Sequence, residues 1–242
     1  MSGGSTFDKY IKMSWQMIHM EIILACFIIG MMVSMAEFVG PVAILFLVGA
    51  FAAMVSAAKK TFFTNLYGNG AVTFQSLPVS AEEMVLAKVT VMTGSGLALL
   101  AVIAVVNVFQ KVAAGNFSFP DYMARQTGLE FLNEFHIPYI VVEEIAGTIT
   151  GQMRMWFVLF AVIVWYNSRP ESKKNGLLKI EAAAGFMAAQ WILAQIGVLM
   201  TKMSGESYWL PAEFAMIVVN VVASAGFYKY IVNRVSRHYE LG

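Results

Sequence analysis

The sequence has few of the residues on which soluble enzymes and metal proteins rely. Only 13% of its 242 residues are charged, whereas soluble domains average about 25%. Its one cysteine, Cys26, excludes an intrachain disulfide and a cysteine-rich metal site. Its three histidines, His19, His136 and His238, lie far apart in the sequence without an acidic or cysteine partner at ligand spacing. We therefore predict no metal site.

The sequence also lacks the G-x-x-x-x-G-K-[ST] motif that cradles the phosphates of ATP in many nucleotide-binding proteins. A short glycine turn, Gly68-Asn69-Gly70, has neither the lysine nor the hydroxyl residue of that motif. We expect the chain itself to bind no cofactor, so that any ATP and Mg²⁺ would be held by a separate chain. The first residues lack a short apolar core followed by a small-residue cleavage site, so no cleaved signal peptide is predicted.

Long apolar runs are what the sequence does have. It is 59% hydrophobic, with a mean hydropathy of +0.68, and its apolar residues are gathered in runs long enough to cross a bilayer. The predicted fold class is an all-α polytopic membrane protein with one transmembrane domain. We predict six transmembrane helices, over residues 20–38, 42–58, 84–109, 140–166, 178–200 and 209–232.

The distribution of lysine and arginine predicts the orientation of these helices. Loops on the cytoplasmic side of a membrane carry an excess of both residues. Six spans place both termini on the same side, and three of the 16 basic residues would lie outside if the termini are inside: Lys111, Arg125 and Lys202. Arg154 falls within a span, and the other twelve lie on the cytoplasmic side. We therefore expect a protein of the plasma membrane with cytoplasmic N- and C-termini and an extracellular segment over residues 110–139.

Residues 7–20 have an amphipathic helical pattern. Phe7, Ile11, Trp15 and Ile18 form an apolar stripe, and Lys9, Lys12, Gln16 and His19 form a polar stripe. The pattern predicts a helix that lies at the membrane surface, with Tyr10 and Trp15 as interfacial anchors. The alternative is a cytoplasmic extension of the first span.

Segment 59–83 separates the second and third predicted spans and carries turn and capping signals. Gly68-Asn69-Gly70 and Pro78 indicate turns. Ser80 and Glu83 form a capping box, which predicts a well-defined helix start outside the membrane. Exposed aromatic residues on such a projection suggest a docking surface, and the alternative is that they lie on the membrane. The aromatic residues are Phe62, Phe63, Tyr67 and Phe74.

Arg154 is the main polar interruption of an apolar run. A charge at the centre of a transmembrane helix costs about 2.5–3.5 kcal/mol on insertion scales, so we expect Arg154 to face protein or a wet cavity. The hypothesis is a pathway or gating charge, and the alternative is a structural ion pair or a misplaced helix boundary. Its expected partners are Glu37, Glu143 or Glu144, although neighbouring carboxylates should point to different sides of a helix. Gln195 is a further pathway candidate. Interhelical hydrogen bonds rather than substrate contacts are expected for the amides in the apolar runs, which are Asn107, Gln152, Gln190, Gln195 and Asn220.

Segment 59–83 and the start of the third span resemble permeases of type-2 ABC exporters. The resemblance lies in Leu66-Tyr67-Gly68, Leu77-Pro78-Val79-Ser80 and Leu86-Ala87-Lys88, and in the layout of an N-terminal amphipathic helix followed by six spans. In that family this segment couples the permease to its ATPase. The resemblance implies that residues between Phe62 and Phe74 dock into the ATPase, with Phe7, Ile11 and Trp15 as a second contact.

The resemblance implies a transport subunit rather than an enzyme, which works with two ATPase subunits and a second copy of itself or a paralogous permease. The 17 methionines and the aromatic interior favour an amphipathic or hydrophobic cargo. One branch of the family exports amphipathic peptides, such as phenol-soluble modulins and antimicrobial peptides, and other branches move drugs or lipids. Two alternatives remain: a membrane enzyme or ion-coupled carrier that uses Arg154, Glu143 and Glu144, and an immunity or scaffold protein that binds a peptide without moving it.

Overall fold

The structure, a computed structural model, describes residues 6–35, 40–67, 80–113, 115, 137–170, 176–204 and 209–240. Within these ranges almost all residues are helical, and no strand occurs. A π-helix, Lys59–Thr64, and a single turn, Asn65–Tyr67, continue the second long helix. The long helices are α1 (Thr6–Met35), α2 (Gly40–Ala58), α3 (Ala81–Ala113), α4 (Ile137–Asn167), α5 (Gly176–Ser204) and α6 (Trp209–Glu240).

Five of the described helices are long and apolar enough to cross a membrane: α1, α3, α4, α5 and α6. They indicate a membrane protein. The 33 residues of α3 extend about 50 Å, well beyond a hydrocarbon core of about 30 Å. Helix α2 has 19 residues but is not among the five, and the side chains at 40–44 and 47 lie outside the described part. The count of six spans stays a prediction.

Helix α1 runs unbroken through the predicted surface helix and into the first predicted span. Its buried face continues from Tyr10, Ser14 and Ile18 to Ile22 at a spacing of four residues. Tyr10 is 1% exposed, so the prediction that it anchors the chain at the membrane interface is wrong; Trp15 is 40% exposed. An unbroken helix keeps one face towards its neighbours, and that face here passes through Tyr10. This arrangement matches the alternative in which residues 7–20 extend the first span.

The helices pack in two groups of three. Helix α1 packs against α2 and α3, whereas α4 packs against α6 and both of these contact α5. Contacts of α3 with α4 and α6 join the two groups. The largest buried cluster lies where they meet, and it includes residues of α1, α3, α4 and α6 together with the π-helix. The apolar face of α5 is largely exposed, as expected of a helix that faces lipid.

The predicted capping box at the start of α3 is confirmed. The backbone N–H of Glu83 donates to Ser80 Oγ, and the backbone N–H of Ser80 donates to Glu83 Oε2, both at 3.2 Å. Two N–H groups that a helix start leaves unpaired are thereby satisfied. Beyond the other end, Gly115 has φ +70° and its N–H donates to Val112 O. Glycine adopts this left-handed conformation without a steric penalty, and a residue in this conformation is a common end signal of a helix.

Candidate functional site

The π-helix Lys59–Thr64 is the element in which contacts from several helices converge. It follows α2 directly and touches α1, α3 and α4. Hydrogen bonds in a π-helix connect residues five apart, and short π-helical turns occur frequently at functional sites. The π-helix therefore links segment 59–83 to both groups of helices.

Lys88 of α3 is fully buried against the π-helix. Its side chain is 0% exposed, although lysine is almost never fully buried without compensating contacts. Its ammonium donates to the backbone carbonyl of Thr61 at 2.5 Å and lies 5.8 Å from the ring centroid of Tyr10. The hydroxyl of Thr61 in turn contacts Met92 Sδ at 3.5 Å. Lys88 thus connects α3 to a backbone carbonyl of the π-helix by a hydrogen bond, and Tyr10 of α1 packs beside the same ammonium.

Phe62 fastens the π-helix to α4. Its ring stacks on Phe160 with 4.6 Å between ring centroids and lies 6.3 Å from Trp156. Phe62 is 0% exposed, so the prediction that it lies on an exposed docking surface is wrong. We call Tyr10, Thr61, Phe62, Lys88 and Phe160 the π-helix junction, because they join α1, α3 and α4 to this short segment.

A more exposed contact lies beside the π-helix junction. Lys60 forms an ion pair with Glu21 of α1. The pair is partly buried, with 42% of the Lys60 side chain and 17% of the Glu21 side chain exposed, and ion pairs that water can screen contribute little to stability. The buried contacts of Lys88 and Phe62 therefore dominate the attachment.

The other predicted docking residues differ in how much of their surface is accessible. Phe63 and Tyr67 are half-buried, with 6.4 Å between ring centroids. Phe7 and Ile11 are also half-buried and pack against the main buried cluster, whereas Trp15 is exposed. Phe74 lies outside the described residues. Phe63, Tyr67 and Trp15 thus keep accessible surface for a partner, and Phe62 does not.

Arg154 lies among neutral amides. Its Nη1 donates to Asn220 Oδ1 of α6 at 2.9 Å, and its Nη2 donates to Gln190 Oε1 of α5 at 3.3 Å. Asn220 Nδ2 also approaches Thr150 Oγ1 at 3.5 Å. The prediction of interhelical hydrogen bonds is confirmed for Gln190 and Asn220, two of the five amides for which it was made.

Two of the predicted carboxylate partners of Arg154, Glu143 and Glu144, do not meet it. Glu143 and Glu144 precede Arg154 on α4 by eleven and ten residues, a separation of about 15 Å along the helix. The expectation that they pair with Arg154 is therefore wrong. As predicted, they point to different sides, because Glu143 is buried and Glu144 is exposed. Gln195 is exposed on α5, and Glu37 lies outside the described residues.

Sequence reasoning missed the burial of Tyr10, Thr61 and Lys88. A signal was present at Lys88, because Val85 and Met92 place it within an apolar stripe of α3 at helical spacing. The separation of Arg154 from both glutamates also removes the geometric basis for an acid–base or proton-carrier site that combines them.

Comparison with protein families, curated proteins and solved structures finds no match to this chain.

Proposed function

We propose that the chain is the membrane subunit of an ATP-driven exporter and that a separate ATPase moves it through segment 59–83. The observation that carries this proposal is the π-helix junction. A soluble motor can act on a membrane protein only through a cytoplasmic segment that is firmly attached to its helices. The buried contacts of Lys88 and Phe62 supply such an attachment at the start of that segment.

The geometry supports a mechanism by rigid-body movement. A force on Phe63 and Tyr67 passes to Thr61 and Phe62 over one turn of helix. It then reaches α3 through Lys88 and α4 through Phe160. Since α3 belongs to one group of three helices and α4 to the other, movement of the π-helix changes the relative position of the two groups. Packed helices respond to such forces by sliding or hinging as units.

The rest of the assembly follows from the resemblance to type-2 ABC permeases. Two ATPase subunits would hold ATP and Mg²⁺, and a second permease chain would complete the pathway within the plasma membrane. Exposed apolar side chains on α1, α2 and α5 offer surface for that second chain and for lipid. The proposed cargo is an amphipathic or hydrophobic peptide or drug, moved outwards, and both termini lie in the cytoplasm.

Phe63→Asp tests this function in membranes that contain the native partner. We expect the wild-type chain to co-purify with a protein that contains a G-x-x-x-x-G-K-[ST] motif and hydrolyses ATP. Phe63→Asp should reduce the recovered ATPase at least about tenfold, because a carboxylate would then face an apolar groove of the partner. Recovery is measured by quantitative mass spectrometry together with ATP hydrolysis.

Phe109→Asp is the matched control, because Phe109 is an exposed aromatic residue towards the other end of α3. That variant should keep its ATPase if it inserts into the membrane, and insertion of both variants is checked by their resistance to alkaline extraction. Absence of an ATPase from the wild-type preparation would contradict the proposed function. Equal recovery with Phe63→Asp would contradict the proposed docking surface.

A further inference from the structure

Not all hydrogen-bond donors of Arg154 have an acceptor among the described residues. A guanidinium has five N–H donors, and two side-chain acceptors engage it, Asn220 Oδ1 and Gln190 Oε1. Its Nε and the neighbouring Gln190 Nε2 have no hydrogen-bond partner among the described residues. Two amides thus fix the orientation of the guanidinium while donors remain to receive another group.

The charge of Arg154 is also not compensated within the described part of the chain. Among the residues that the structure describes, no carboxylate forms an ion pair with it. A neutral amide satisfies hydrogen bonds but does not compensate a positive charge in a poorly polar medium. Ionisable groups inside transmembrane segments mark ion and substrate pathways in many membrane proteins.

The depth of Arg154 decides what kind of anion could reach it. It lies near the middle of the 26-residue apolar segment Val142–Asn167, about 18 Å along the helix from either end. The phosphates of resident lipids stay at the bilayer surface, at the ends of such a segment. An anion at this depth must therefore enter as part of a molecule that passes into the membrane protein.

An apolar cavity adjoins this cluster. Its volume is about 220 Å³, and its walls include Thr150, Met153, Phe157 and Ser224. Thr150 is also the residue that Asn220 approaches, so the cavity wall and the Arg154 cluster share a polar contact. A ligand with an anionic group at Arg154 could place an apolar part in this cavity.

We propose that Arg154, Gln190 and Asn220 form a binding site for the carboxylate of an amphipathic cargo molecule. Arg154 binds the two oxygens through its planar fork, which matches carboxylate geometry. Asn220 positions the guanidinium, and Gln190 donates its free N–H to the same carboxylate. The role as a cargo site rests on the proposed function, whereas the binding itself requires this chain alone.

The test is equilibrium binding of radiolabelled dodecanoate and of its uncharged amide, dodecanamide, to the purified full chain in a neutral detergent. The two probes share an apolar tail and differ in charge. We expect dodecanoate to bind at least about tenfold more tightly than dodecanamide, as charge-assisted hydrogen bonds require. Arg154→Gln should abolish this preference, and Gln190→Leu should reduce it. Equal affinity of the wild-type chain for both probes would overturn the site, whether or not the variants fold.

Arg169→Gln is the matched control. Arg169 follows the end of α4, is exposed, and lies 4.8 Å from the ring centroid of Trp165. Its removal changes the net charge equally and should leave the preference intact. A preference that survives Arg154→Gln, or that is lost in Arg169→Gln, would also overturn the assignment. Since no ATPase enters the assay, loss of the proposed exporter function would not alter these results, and an ATPase partner could be found even if this site fails.

Discussion

Replacement of Lys88 by glutamate is expected to destabilise the protein by about 3 kcal/mol or more, since breaking a buried charged contact has costs of this size. The variant would place a carboxylate against the carbonyl oxygen of Thr61, which now accepts a hydrogen bond from the ammonium at 2.5 Å. Two acceptors would then face each other in a fully buried position. The free energy of unfolding, or the melting temperature in detergent, measures the loss.

Lys59→Glu is the control for this substitution. It makes the same change of charge, but at Lys59, an exposed residue at the start of the π-helix. There we expect the free energy of unfolding to change by no more than about 0.5 kcal/mol. Lys88→Met separates packing from polarity, because methionine nearly fills the space of the lysine chain but donates nothing to Thr61. Loss of this buried, charge-assisted hydrogen bond should cost about 1–3 kcal/mol. A Lys88→Glu protein as stable as Lys59→Glu would contradict the buried position of Lys88.

The second large effect is expected for Phe62→Ala, at about 3–5 kcal/mol, the range for phenylalanine removed from a core. Phe62 fills the space between the π-helix and α4 and stacks on Phe160 at 4.6 Å. Its removal leaves a cavity at the meeting point of the two groups of helices. Thermal unfolding in detergent gives the loss directly.

Phe63→Ala is the neighbouring comparison. Phe63 is half-buried, so truncation should cost about 1 kcal/mol, in proportion to the smaller apolar area removed from water. For binding of the ATPase, the proposed function predicts that Phe63 matters more than Phe62, because only Phe63 has accessible surface for a partner. If Phe63→Ala were the more destabilising change, the assignment of the buried and exposed faces of the π-helix would be reversed.

The contrast between Phe62 and Phe63 also explains one failure of prediction from the sequence. The helical course of the chain and the capping box at Ser80 follow from local patterns and were predicted. The burial of Phe62 was not, because the aromatic residues of segment 59–83 were all assigned to one exposed projection, and nothing in the sequence distinguished Phe62 from Phe63. The π-helix at Lys59–Thr64 has more residues per turn, and it shifts the faces of the residues that follow.

Arg154 illustrates a different limit. Its cost within an apolar run was evident from the sequence, but its partners depend on which helices surround it. Opposite charge favoured Glu143 and Glu144 as partners. Both lie on the same helix as Arg154, too far along it for an ion pair. The observed partners are neutral amides on α5 and α6, and their proximity arises only when three helices pack together. Which polar residues contact Arg154 is therefore determined by tertiary packing, and the sequence alone does not distinguish them.

Contact between the π-helix and a separate ATPase is the central element of the proposed function, and site-specific photocrosslinking in intact membranes tests that contact directly. A photoreactive amino acid replaces Phe63, and the same group at Phe109 serves as the comparison. We predict that position 63 crosslinks to a chain that contains a phosphate-binding loop and that position 109 does not. Crosslinks from position 63 to lipid alone, or labelling of position 63 by a membrane-impermeant reagent from outside the cell, would contradict the account.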